Sequence, residues 1–267
     1  MRLGWGERLF MGLSLVVLVV PIMVVCAAAL NGGRSMTFPP QDPALGRFVE
    51  FFVSEPVWVT ALQNSAILAI SSAALAVLIA WPIAYLLWQG DSRASKWLAA
   101  AATLPFAVPP MVTGVGMGFL WAWLGGLGTL WAGILSHAAL FCALPLVTIS
   151  IGLQAIDRAQ LDAAATMGAT QGQMFRTVIL PQTLPYTVSG FFFALVLSFN
   201  EFVVIFFVSS SSYTTVTLQI FNSLRNGFTP TMAVGAITFL TVALIGFGLV
   251  ARYGDLPRLM GADQSRN

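Results

Sequence analysis

The chain has 267 residues, 58% of them hydrophobic and 8% charged, with a net charge of +2. Soluble domains carry about 25% charged residues, so this composition belongs in a bilayer, and apolar blocks recurring along the whole length favour one membrane domain over a soluble domain with an anchor. No basic patch points to nucleic acid, Cys26 and Cys142 sit in apolar runs that suggest neither a disulfide nor a metal site, and Lys96, the one lysine, lies outside any Walker A loop.

Arg2 and Arg8 precede an apolar run at 9–30, ~33 Å long at 1.5 Å per residue and sufficient to cross the hydrocarbon core. The small residues at 27–29 imitate a signal-peptidase site, but the run exceeds an h-region of about 7–15 residues and is expected to remain as the first span. Residues 31–57 form a polar loop rich in Pro and Gly, with a short helix expected around 45–53. The second span, 59–87, has Trp58 at one end and Trp81 and Trp88 at the other, as interfacial aromatic belts do. In the third, 97–124, Pro105, Pro109 and Pro110 are followed by Gly114, Gly116 and Gly118. That segment cannot be a straight helix, and irregular backbone at membrane depth has to face protein or a water-filled cavity. A tight turn at 125–128 leads to the fourth span, 131–153, then a polar-leaning segment at 156–184 and the fifth span, 185–208. A short amphipathic helix at 216–228 and a sixth span at 231–251 complete the chain.

Six spans put both termini on one side. With the termini in the cytoplasm, Arg2, Arg8, Arg93, Lys96, Arg158, Arg176, Arg252, Arg258 and Arg266 are inside, and Arg34, Arg47 and Arg225 are outside. That asymmetry satisfies the positive-inside rule. The expected fold is all-α, a single domain over 1–267 with six transmembrane helices and cytoplasmic termini, and it places 156–184 in the cytoplasm.

The 156–184 segment reads as two short helices. Asp157 with Gln160, and Thr170 with Gln173, are two capping boxes, and Gly168 between them can take the positive φ that closes the first helix. Met174, Phe175, Val178 and Ile179 share one arc of the second helix, with Gln173, Arg176 and Thr177 opposite. Pro181 and Pro185 are expected to stop this helix and start the next. Periodicity alone fits an ordinary amphipathic loop and a docking handle equally.

The spacing carries more. Asp162, Ala163, Ala164, Gly168, Val178, Leu180 and Pro181 resemble the signature loop of permease subunits of ATP-binding-cassette (ABC) importers. The family pattern is Glu-Ala-Ala, three residues, Gly, nine residues, Ile, one residue, Leu-Pro; Asp162 stands where Glu is usual and Val178 where Ile is usual. The Pro-rich segment at 104–110, Leu197-Ser198-Phe199-Asn200-Glu201-Phe202, and the segment from Leu218-Gln219-Ile220-Phe221 to Thr229-Pro230 are similar to the second permease of spermidine/putrescine-type importers.

The resemblance implies a type I importer permease fold in a bacterial inner membrane. Asp162, Ala163, Ala164, Met167, Gly168, Ala169 and Thr170 would form the helix that couples the chain to the ATPase. The expected partners are two ATPase subunits, a second, related permease in a heterodimer, and a periplasmic or extracellular substrate-binding protein. ATP and Mg would be bound by the ATPases, leaving no cofactor in this chain. Polyamines are the expected cargo, with organic amines, aminophosphonates, thiamine and ferric iron also carried by similar permeases.

Glu201 is the charge placed most deeply in a span, ~24 Å along the fifth from Pro185. An intramembrane carboxylate usually faces a cavity or a partner. With Asn200 and Ser198 beside it, and Phe199 and Phe202 available for cation–π contacts or for packing, it is the candidate for attracting a cationic substrate. The bland alternative pairs it with His137 or with a helix end. Two other classes fit less well. A six-span intramembrane Ser/His protease would need a nucleophile turn at a helix start with a His on a later span, and no such arrangement stands out, His137 beside Ser136 reading as a hydrogen-bonded core residue. A secondary transporter would show inverted repeats. No catalytic or metal-binding residue is expected.

Overall fold

A computed structural model describes residues 4–33, 37–90, 92–209, 212–227 and 229–253, and every regular element among them is helical. Of the charges used for topology, Arg2, Arg34, Arg258 and Arg266 lie outside the described residues. The chain separates into two compact units, one of residues 1–63 with 216–242, the other of 64–215 with 243–267.

In the first unit, α1 (Trp5–Ala29) is apolar and exposed along almost its whole length. The expected short helix is α2 (Gly46–Ser54), and α3 (Pro56–Gln89) begins here with proline in its first turn, where a missing N–H costs nothing. Phe51, Trp58, Ala28 and Ala29 pack with Met232, Ala233 and Val234 of the last helix, Pro230–Tyr253. A Cβ at Gly235 would collide with the Trp58 ring, so the glycine there is what lets the indole lie on the backbone.

The second unit continues α3 and adds α4 (Arg93–Ala107) and α5 (Pro110–Leu124), which meet at 109°. Val108 and Pro109 are both extended, as residues preceding proline prefer, so the third apolar segment is broken where its prolines predicted. Next come α6 (Leu130–Phe141) and α7 (Ala143–Gln154), bent by 46°. Pro145 has no N–H for the carbonyl four residues back, and the bend falls at that point.

Beyond the short α8 (Arg158–Thr166), the helical run Gln171–Asn200 comprises α9 (Gln171–Met174), a π-helical turn (Phe175–Ile179) and α10 (Leu180–Asn200). Pro181 and Pro185 therefore do not stop the helix. The Leu180 N–H donates five residues back to the Phe175 carbonyl. This wider turn changes the hydrogen-bond register just before Pro181, which then occupies the first turn of α10.

The fifth expected span is interrupted instead at its far end. Glu201 is extended (φ −74°, ψ 126°), and α11 (Val203–Ser209) starts anew. Against α7, α10 packs through Gly152, under the Tyr186 ring, and Gly190, against Pro145 and Thr148. In the same way α5 packs against α11, with Gly114 and Gly118 against the segment 203–207. The remaining helices are α12 (Val216–Asn226) and α13 (Pro230–Tyr253).

Among the described residues, three helical runs are long and apolar enough to cross a membrane alone, namely Trp5–Ala29, Pro56–Gln89 and Gln171–Asn200. Counting each bent pair as one span gives up to five, and Pro230–Gly246 is a shorter apolar helix.

Candidate functional site

The loop after α7 is built entirely from local rules. Asp157 caps α8 by accepting from the Ala159 N–H at 2.9 Å. The expected reciprocal bond from Gln160 does not form; its side-chain oxygen accepts from Gln182 Nε2 at 2.7 Å, tying α8 to α10. At the other end Gly168 takes φ +83°, the Ala169 N–H donates to the Ala164 carbonyl at 3.0 Å, and the Gly168 N–H donates to Ala165 at 2.9 Å. Those two bonds are a Schellman closure, which satisfies carbonyls left over at a helix end. The second box does form: the Gln173 N–H donates to Thr170 Oγ1 at 3.3 Å, and the Thr170 N–H donates to Gln173 Oε1 at 2.8 Å. Four residues, 167–170, separate the end of one helix from the start of the next, and the cap groups of both ends are bonded.

The loop is anchored from one side and open on the other. Ile156, Leu161, Phe175 and Ile179 join the cluster formed by Leu153 and the end of α3. The Phe175 ring stands edge-on to Trp81 at 5.6 Å and to Tyr85 at 5.7 Å. On the expected inward arc, Ile179 is buried and Met174, Phe175 and Val178 are partly so, while Gln173, Arg176 and Thr177 are exposed. Asp162, Ala163, Gly168 and Thr170 are exposed, Ala164 and Ala169 half-buried, and Met167 projects with 82% of its surface free. Beside them a cavity of about 240 Å³ is lined by Trp88, Gln89, Arg158, Leu161 and Asp162.

The five residues expected near a substrate divide into two groups. Ser198 and Phe199 are buried. Ser198 Oγ lies 2.8 Å from both Ser72 Oγ and His137 Nδ1. Since Ser72 donates to the Leu68 carbonyl at 2.6 Å, Ser198 must donate to Ser72, which leaves Nδ1–H of His137 as the donor to Ser198. His137 Nε2 meets no hydrogen-bond partner among the described residues. Ser136 Oγ accepts from the Trp121 indole N–H at 2.8 Å, and the bond of His137 Nδ1 goes to Ser198 rather than to Ser136.

The second group is the break between α10 and α11. Asn200 is exposed, and its amide donates to the Val196 carbonyl at 2.7 Å; Glu201 and Phe202 are half-buried. Glu201 Oε1 accepts from the Val204 N–H at 2.9 Å, a bond to a helix start. The Phe202 ring lies 5.6 Å from that of Phe206. Sequence reasoning missed the Gln160–Gln182 link and the Ser72–Ser198–His137 chain, whose partners are 22 to 126 residues apart and leave no local signal.

Residues 90–254 match the family described as binding-protein-dependent transport system inner membrane component. The chain is 30% identical over 191 residues to the putrescine transport system permease protein PotI of Escherichia coli K12, covering 68% of this chain and 67% of that one. It is also 30% identical over 188 residues to the spermidine/putrescine transport system permease protein PotC of Haemophilus influenzae, covering 70% and 72%. Among solved structures, it superposes on a chain of a bacterial ABC transporter involved in import of the acidic polysaccharide alginate, with TM-score 0.68 and 16% identity over 95% of this chain and 99% of that one. An amino acid ABC transporter gives TM-score 0.60 at 20% identity, over 78% and 97%. These two share the fold. The chain belongs to the family of binding-protein-dependent transport inner-membrane components, the permeases of ABC importers.

Proposed function

We propose that this chain is one of a pair of related permeases in an ATP-driven polyamine importer, spanning a bacterial inner membrane six times with both termini in the cytoplasm. The whole of 1–267 acts as one permease domain. The observation that carries the coupling role is the continuity of the second loop helix with the long apolar helix. The α9 helix, the π turn and α10 are one run of 30 residues from Gln171, so a push on the exposed face at 162–170 passes through the capped closure at 167–170 into that run. Asp162, Ala163, Ala164, Met167, Gly168, Ala169 and Thr170 seat on one of two separate ATPase subunits, which bind ATP and Mg. Only contacts that differ between the two states of the ATPase pair can tilt the permeases, and a capped, anchored loop transmits such a difference where a slack one would absorb it.

Outside, a binding protein delivers the substrate, and Glu201 with Asn200 and Phe202 draws a cation into the path, supported by Ser198 and Phe199 behind them. The cargo assignment is supported by the putrescine and spermidine/putrescine relatives. A second reading is supported by a putative 2-aminoethylphosphonate permease of Salmonella typhi, 28% identical over 85% of this chain and 88% of its own, a coverage that a spermidine/putrescine permease of Escherichia coli K12 matches at 85% and 86%. Both cargoes carry an amine, and Glu201 suits either.

The test is to purify the chain with its associated subunits, reconstitute them in liposomes with the binding protein, and measure ATP-dependent uptake of labelled putrescine, spermidine and 2-aminoethylphosphonate. Polyamine uptake that stops without ATP supports the proposal. Uptake of the phosphonate alone overturns the cargo, and uptake independent of ATP overturns the mechanism.

A further inference from the structure

We propose that α2 is an interfacial helix, lying in the lipid headgroup layer with its free apolar face against the bilayer. Its side chains fall on three arcs. Phe48 and Phe51 point inward, and Phe51 is buried against Trp58, Ala28 and Ala29. Arg47, Glu50 and Ser54 occupy a polar arc. There Arg47 Nη1 pairs with Glu50 Oε2 at 3.0 Å, and Arg47 Nη2 donates to the Gly32 and Gly33 carbonyls at 3.0 and 2.8 Å. Leu45, Val49, Phe52 and Val53 form the third arc, spaced for one helix face, and they are 73%, 66%, 53% and 77% exposed.

The depth of the helix selects the occupant of that third arc. Ala28 and Ala29 end α1, Trp58 lies in the first turn of α3, the Phe51 ring lies 5.5 Å from that of Trp58, and all four residues share one buried cluster. The helix is therefore pinned where one apolar helix leaves the bilayer and the next enters it. Only Glu55 separates α2 from α3, the exposed apolar residues continue with Val57 in the first turn of α3, and α1 is exposed along most of its apolar length up to Val25. A helix with an apolar arc, a polar arc and no net charge on the Arg47–Glu50 pair, held at this depth, lies in the interface plane. The inference rests on α1 and α3 as spans and is independent of the cargo and of the side on which α2 lies.

A photo-cross-linking amino acid at position 49 or 53, with position 50 as reference, tests it in the assembled transporter in phospholipid vesicles, with and without binding protein. Phospholipid adducts at 49 and 53 should exceed those at 50 several-fold and be indifferent to the binding protein. Adducts to the binding protein or to a second permease, or lipid adducts no higher than at 50, overturn the proposal. A nitroxide at position 53 in a Cys26→Ser background reads the same surface with a smaller probe. It should collide more often with oxygen than with a water-soluble nickel complex, and the reverse preference overturns the proposal. Failure of the transport reading would leave both results unchanged.

Discussion

Glu201 carries two separable properties, and one substitution divides them. Its carboxylate accepts from the Val204 N–H, and its charge sits beside the exposed Asn200. Gln keeps an acceptor oxygen of the same reach and loses the charge, whereas Ala loses both. If the charge draws a cation, Glu201→Gln should raise the KM for polyamine uptake several-fold with the complex as heat-stable as wild type, while Glu201→Ala should also lower its melting temperature. Uptake kinetics for Glu201→Gln that match wild type across substrate concentrations would leave the carboxylate with capping alone. The sequence made Glu201 conspicuous, because a charge within an apolar run is visible without any structure. Its partner was not visible, since a wheel drawn through 185–208 assumes a continuous helix. Ser198 and Asn200 stand two residues apart in α10 and so on opposite sides of it: Ser198 bonds inward to Ser72 and His137 while Asn200 stays exposed, and the backbone turns extended only at Glu201.

At the scale of the element, the loop at 157–174 was legible where its chemistry is local. The Thr170–Gln173 box and the positive φ at Gly168 depend on residues three or four apart. The Asp157–Gln160 box has the same spacing and failed for a non-local reason: Gln182 competes for the Gln160 oxygen. Proline also misled, since the π turn that absorbs Pro181 has no signature of its own. The consequence favours function, because a loop expected to be separated from its span by a break is continuous with it. Gly168 is the point at which to test this. A Cβ there meets nothing within 4 Å, so Gly168→Ala adds no clash and introduces only left-handed strain, about 1–2 kcal/mol. The complex should assemble normally while substrate-stimulated ATP hydrolysis falls several-fold relative to the basal rate. Unchanged stimulation would mean that the closure between α8 and α9 does not carry the coupling.

For the whole molecule, the apolar segments read from hydropathy fall in helices, but their continuity was not legible. Two of the six expected spans are bent pairs, and the breaks sit at Val108–Pro109 and just before Pro145, where proline has no N–H to continue the helical hydrogen-bond ladder. An average over many residues does not register such a break. Topology rests on a different quantity, the excess of Lys and Arg on one side with each bent pair counted as one crossing, and this is insensitive to whether a span is straight or bent, whereas a re-entrant pair would move every later loop to the other side. It therefore makes a prediction that the helices alone do not. With both termini in the cytoplasm, a reporter active only in the cytoplasm should work when fused after residue 168 and fail after residue 50, and a membrane-impermeant thiol reagent should label a cysteine at 50 but not at 167 in intact cells. Should position 167 be labelled from outside, the exposed Met167 face would be on the wrong side for an ATPase. The coupling role would then fall even though the fold and family would stand.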